Sequence, residues 1–210
     1  MILGPSGSGK STSLRNLNPD ETFIFGILDK PLPFKGYKKK YNLDKKNYYS
    51  SDDYRVVLNY IKAINERRPD IKNFVIDDFQ YLLAHEFMNR VSERGYDKYS
   101  ELALHAWTVI KELTLTRDDL HCFVLTHSET DQQGYMKIKT IGRLLEDKIT
   151  LEGMFTCCLF SMVVDGEYVF LTNTDGTHLS KSPLGLFKDL YIPNDLQFVK
   201  ESMINYFNEE

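Results

Sequence analysis

Cysteine is scarce in this chain: 210 residues contain three, Cys122 and the adjacent pair Cys157-Cys158. The count is odd and no two have metal-ligand spacing, which argues against a disulfide framework and against a thiolate metal site. Buried, reduced thiols are the reading left for all three, and they suit a reducing compartment. Long apolar runs are missing as well. The longest, Met154 to Val164, is interrupted by Thr156 and Ser161 and is well short of the ~20 residues that a membrane-spanning helix needs. No leader pattern opens the chain, because Gly4-Pro5-Ser6-Gly7 directly follows Met1-Ile2-Leu3. Nor is there an excess of positive charge. With 26 Lys+Arg against 30 Asp+Glu the net charge is −4, which excludes a chain-wide nucleic-acid clamp and leaves room only for a local basic patch. Repeats and low-complexity linkers are absent. A hydrophobic share of 42% suits one globular domain spanning residues 1–210, with no membrane association and a cytoplasmic location.

What is present alternates between strand and helix patterns. Met1-Ile2-Leu3 reads as the end of a buried strand, Gly4 to Gly9 as a loop, and Lys10 to Leu17 as a helix stopped by Asn18-Pro19. Thr22 to Ile27 suits a strand; Leu28 to Ser50 shows no clear periodicity. Ser51 or Asp52 is the expected cap of a helix running to Arg68, with Val57, Ile61 and Ile64 on one face. Phe74-Val75-Ile76 predicts a strand ending at Asp77-Asp78, followed by helical sequence over Gln80–Arg94 and Tyr99–Thr116. Cys122 to Leu125 predicts a strand ending at Thr126-His127. Phe155–Val164, Asp165-Gly166 and Tyr168–Leu171 read as a hairpin, since Asp-Gly favours a two-residue turn. Asn194 to Phe207 closes the chain as an amphipathic helix. The expected class is α/β, a mainly parallel sheet flanked by helices with a C-terminal antiparallel hairpin.

Gly4-Pro5-Ser6-Gly7-Ser8-Gly9-Lys10-Ser11 fits G-x-x-x-x-G-K-[ST] throughout. Glycines let consecutive backbone N–H groups turn inward around phosphate oxygens. Gly4, Pro5, Ser6, Gly7, Ser8, Gly9, Lys10, Ser11 and Thr12 form the candidate ATP-binding segment. Lys10 is the expected partner of the β- and γ-phosphates, and the Ser11 hydroxyl a ligand of Mg²⁺. Asp77, at the end of an apolar strand, is the matching Mg²⁺ carboxylate. Asp78 has two readings, a general base for water or a helix cap. Thr126-His127 could address the γ-phosphate through His127, or His127 could be a surface residue at a strand end.

These residues carry a resemblance to small phage-encoded P-loop nucleotide-binding proteins, grouped with RecA-like single-strand annealing and recombination ATPases. The matching pieces are Gly4 to Ser11, Asn18 to Thr22, Lys30-Pro31-Leu32-Pro33-Phe34 and Val75 to Tyr81. Further on come Thr126-His127, Lys139 to Leu145 and Lys181 to Phe187. The resemblance implies a RecA-like core, ATP and Mg²⁺ as ligands, and self-assembly into a homo-oligomer. It further implies single-stranded DNA as partner, with a phage or host single-strand-binding protein as a further one, in the bacterial host cytoplasm.

Seven lysines lie between Lys30 and Lys46, interleaved with aromatics, a composition suited to single-stranded DNA. The bland alternative is a solvated loop whose rings pack on the domain. Lys35, Tyr37, Lys38, Lys39, Lys40 and Tyr41 are the candidates there, with Lys137 and Lys139 beside a second polar loop, Ser128–Lys139. Arg143 and Lys181 could complete a neighbouring subunit's site, as trans-acting cations do, or form surface salt bridges. The leading reading is an ATPase of DNA recombination or annealing. The alternatives are a small-molecule or nucleotide kinase and a non-hydrolysing nucleotide-dependent assembly module.

Overall fold

The computed structural model describes residues 1–142 and 149–208. Among these, nine strands form one sheet. They are β1 (Ile2–Gly4), β2 (Thr22–Gly26), β3 (Tyr48–Ser50), β4 (Asn73–Asp77), β5 (His121–Thr130), β6 (Met136–Ile138), β7 (Leu159–Val164), β8 (Glu167–Leu171) and β9 (Tyr191–Pro193). The order is β3-β2-β4-β5-β1-β7-β8-β9, with β6 paired to β5 off this path. From β3 to β7 every pairing is parallel, whereas β8 runs antiparallel to both β7 and β9. A mixed α/β fold with a mostly parallel central sheet is therefore what the sequence pattern builds.

Alternation along the strands explains the layers, because successive side chains point to opposite faces. Leu3, Phe23, Phe25, Phe74, Ile76 and Val124 join one core with Val57 and Ile61 of α2 (Tyr54–Arg67). Leu82 of α3 (Gln80–Asn89) and Ala106 and Ile110 of α4 (Asp97–Leu113) pack into the same core. Ile2, Ile24, Val75, Phe123 and Leu125 point the other way, against Leu14, Tyr41 and the C-terminal helix residues Leu196 and Val199. Strands covered on both faces read as unbroken apolar runs. Burying each large side chain contributes about 1.5–3 kcal/mol. No helix among the described residues is long and apolar enough to cross a membrane.

Several elements depart from the sequence pattern. Instead of a helix over Lys10–Leu17 there is a 3-10 helix, Ser11–Asn16. The Ser13 hydroxyl donates to the Lys10 carbonyl at 2.5 Å, a local bond that competes with regular helix, and Pro19 closes off any extension. The α2 cap is Asp53, whose carboxylate accepts from the Arg55 N–H at 2.9 Å, rather than Ser51 or Asp52. The aperiodic stretch 28–50 contains a single turn of helix, α1 (Tyr37–Lys40), and the edge strand β3. β5 does not stop at His127 but runs to Thr130, because Ser128–Thr130 pairs with β6. Cys157 and Cys158 precede β7, which begins at Leu159; the Cys158 N–H donates to the Lys181 carbonyl. The Asp165-Gly166 hairpin forms with φ of 51° and 85°, the left-handed pair that a two-residue turn requires. Beyond it β9 adds a third strand, and α5 spans Leu196–Asn208.

Candidate functional site

Strand order brings the two candidate motifs together. β5 lies between β1 and β4, in register with Leu3 and Gly4 at Thr126 and His127. The loop after β1, the carboxylates ending β4 and His127 therefore meet at one end of the sheet. The loop, Asp78 and His127 line a cleft of about 520 Å³ with Lys30, Tyr81 and Tyr168, and Asp77 lies behind it against Ser11.

The glycine-rich loop after β1 is propped by β7 and the segment ahead of the C-terminal helix. The Ser161 hydroxyl of β7 donates to the Ser8 carbonyl at 2.7 Å, and the Asn194 amide donates to the Ser161 hydroxyl at 3.0 Å. A Cβ on Gly4 would sit 2.5 Å from the Ser161 carbonyl oxygen. At Gly9, whose φ is +97°, a Cβ would meet the Tyr168 ring at 2.7 Å. Only glycine fits either place. Side-chain oxygens of Ser8 and Thr126 are buried there without a hydrogen-bond partner.

Charge converges on the same spot. The Lys10 ammonium donates to the Gly4 and Pro5 carbonyls, each at 2.8 Å. Burial lowers its pKa to about 8 against the opposing pull of Asp78 and Asp77. The Ser11 hydroxyl donates to Asp77 Oδ1 at 2.9 Å, closing a contact across 66 residues of chain. Burial pushes Asp77 up to about 6, and the neighbouring Asp78 charge adds to the rise. Asp78 takes a left-handed φ of 64°, which aspartate tolerates better than most residues, and its carboxylate faces the cleft. There it is ion-paired to the Lys30 ammonium, and His127 Nε2 lies 3.4 Å from its other oxygen. Burial opposes ionisation of Asp78, but the hydrogen bonds from His127 and Lys30 outweigh it and hold the carboxyl below its ordinary range. The His127 ring meets Tyr81 edge-on at 5.7 Å; it is a cleft residue partway along β5.

A serine hydroxyl and a carboxylate are hard oxygen donors of the kind Mg²⁺ takes, and that ion uses few protein ligands. Ser11 and Asp77 fit it. The short 3-10 helix contributes little aligned dipole, so the positive charge lining the cleft is that of Lys10 and Lys30.

Other candidates lie elsewhere. Lys35, Lys38 and Lys39 are exposed, while the Lys40 ammonium donates to the Arg15 carbonyl at 3.2 Å. Tyr41 is only 3% exposed and its hydroxyl donates to the Leu17 carbonyl; its ring belongs to the core and offers no face to a base. Tyr37 is half-buried, with its ring edge-on to Phe34. The polar loop Ser128–Lys139 is largely the β5–β6 hairpin, with Lys137 half-buried on β6 and Lys139 exposed just beyond. Lys181 pairs with Cys158 ahead of β7, toward the end of the sheet away from the phosphate loop. Arg143 lies outside the described residues.

Sequence reasoning missed Lys30 as a cleft residue and counted it among the basic segment. Its signals were Pro31 and Pro33 and its place in the Lys30–Phe34 piece that carries the resemblance. Tyr168 carried none beyond its place next to the Asp-Gly turn. No protein-family model matches the chain, and no curated protein matches it.

Proposed function

We propose that this protein binds Mg·ATP in the cleft and hydrolyses it, as a RecA-like ATPase acting on single-stranded DNA in phage recombination or annealing. The observation that carries the nucleotide part is the 2.9 Å bond from Ser11 to Asp77 beside Lys10. It joins the glycine loop to the strand-end carboxylate in the arrangement that holds Mg²⁺ against a triphosphate. The insertion of β5 between β1 and β4, with antiparallel strands beyond β7, is compatible with the RecA-like core that the resemblance implies.

In this reading the loop amides and Lys10 bind and orient the phosphates, while Ser11 and Asp77 hold the metal. Bound Mg²⁺ would supply charge neutralisation at the β- and γ-phosphates. Asp78 and His127, within reach of one another, hold and accept the proton of the attacking water. The half-exposed ring of Tyr168, packed on Gly9, offers a flat apolar surface at the cleft rim. Exposed Lys35, Lys38 and Lys39, together with Lys139, supply backbone-neutralising charge for a strand of DNA. Because Lys181 lies away from its own cleft, any catalytic contribution from it would come from a neighbouring copy in a homo-oligomer.

The test is ATP turnover with and without single-stranded DNA, run beside a phosphotransfer screen against nucleotides and small hydroxyl acceptors. Release of phosphate, stimulated by DNA and lost in Lys10→Ala, is the expected result. Transfer to an acceptor would move the reading to a kinase, and binding without turnover would move it to an assembly module.

A further inference from the structure

Lys30, the first lysine of the basic segment, is exposed but ion-paired. After β2, the Ile27 N–H donates to the Asp77 carbonyl at 3.0 Å, which ties this connection to the end of β4. Pro31 and Pro33 follow, and a residue preceding proline is restricted to extended backbone. Between the two prolines Leu32 is anchored in the core at 5% exposure. Lys30 is thus held on a stiff, anchored strap that leads its side chain into the cleft. Its ammonium pairs with Asp78 Oδ2 and shares the cleft lining with Ser6, Gly7, Lys10 and Ser11. Its side chain keeps 43% of its exposure, against 3% for Asp78. The lysine end of the pair is therefore the solvent-accessible one, while the carboxylate is held in place by its backbone turn and by His127.

We infer that Lys30 is an in-cis cation for the terminal phosphate of a nucleoside triphosphate, which it reaches by leaving Asp78. The inference rests on the nucleotide reading above and deepens it. A triphosphate in the cleft competes with Asp78 for the ammonium, and a diphosphate, which ends one phosphate short, competes less. Movement of Lys30 also uncovers Asp78. Water then attacks the γ-phosphorus and gives its proton to the Asp78 carboxylate. The bond from that phosphorus to the β–γ bridging oxygen breaks, and the oxygen leaves on the diphosphate with the electron pair. Inorganic phosphate and the nucleoside diphosphate are the products. Lys30 thereby stabilises charge that spreads over the γ-oxygens, a role otherwise given to cations from a neighbouring subunit.

Calorimetric titrations of the full chain with ADP and ATPγS, in Mg²⁺, test this in wild type, Lys30→Met, Lys30→Arg, Asp78→Asn and Lys10→Ala. A hydrogen bond to a charged group changes affinity by about tenfold to a hundredfold. Lys30→Met should lose about that much ATPγS affinity and far less ADP affinity, with Lys30→Arg recovering part of the loss. Asp78→Asn removes the competitor, so it should bind ATPγS more tightly than wild type while turning over ATP more slowly. A merely structural pair would weaken both ligands in both variants. An ATPγS-to-ADP affinity ratio unchanged in Lys30→Met, or lowered in Asp78→Asn, overturns the inference while wild-type binding still depends on Lys10. If wild type binds neither nucleotide, or Lys10→Ala binds like wild type, the nucleotide reading itself fails and this inference falls with it.

Discussion

Replacing Asp77 by Asn should make the metal-free protein more stable, although Asp77 stands at the centre of the site. The carboxyl is buried beside Asp78, and its pKa rises from 3.8 to about 6. Its folded-state value lies above its unfolded value, so its favourable contribution is complete below pH ~3.8 and is lost as pH rises through about 6. At pH 7.5 the ionised group therefore costs about 2.2 × 1.36, or ~3 kcal/mol. Because Asp77 and Asp78 share their repulsion and the amide changes the Ser11 contact, a gain of about 1–3 kcal/mol is the expectation. For a chain of this size each kcal/mol moves the midpoint by about 2–4 °C. Thermal unfolding followed by circular dichroism in EDTA should thus show Asp77→Asn melting higher at pH 7.5. The cost shrinks to about 1 kcal/mol at pH 4.5, and the advantage should shrink in proportion. Adding Mg·ATPγS should reverse the order, since only wild type gains a buried carboxylate–cation contact. A lower midpoint for Asp77→Asn at pH 7.5, or an advantage that does not depend on pH, would refute the reasoning.

Gly9→Ala places a Cβ 2.7 Å from the Tyr168 ring at a φ of +97°, a combination that should cost about 1–3 kcal/mol. Its midpoint should fall, and its nucleotide affinity more steeply, in the same titrations. Replacing Lys35, Lys38 and Lys39 by Ala should flatten the salt dependence of single-stranded DNA binding by up to ~0.7 per lost phosphate contact; an unchanged slope would move the DNA surface to the β5–β6 hairpin. Tyr41→Ala should destabilise by about 3–5 kcal/mol, the cost of emptying a large aromatic site, with the salt slope unaltered. A changed slope in a folded Tyr41→Ala protein would return that ring to the DNA surface.

The parallel sheet was legible because its strands are apolar on both faces, as in Phe23 to Phe25 and Phe74 to Ile76, and because the glycine-rich loop fixes where β1 ends. Asp77 was legible from the same strand-end logic, and the Asp165-Gly166 turn from its residue types. The 3-10 helix was not, since Leu14 and Leu17 have the spacing of a buried helical face in either helix type. β9 was hidden by its three residues and its terminal proline. The place of Lys30 in the cleft was not legible for a physical reason: it depends on the adjacency of β2 and β4, a contact between segments far apart in the chain. Composition alone grouped it with the lysines that follow. The rings of Phe34, Tyr37 and Tyr41 show the converse. Interleaving with lysine suggested stacking surfaces, but the chain folds them onto the domain.

The central claim is that one cleft holds a Mg²⁺–triphosphate between Lys10, Ser11 and Asp77. Calorimetric titration of the wild-type chain with ATPγS, with and without Mg²⁺, tests it most directly. The account predicts saturable binding at one site per chain that Mg²⁺ strengthens about tenfold or more, the scale of a charged contact, and that Lys10→Ala abolishes. Absence of binding, or equal affinity with and without Mg²⁺ and in Lys10→Ala, would contradict it.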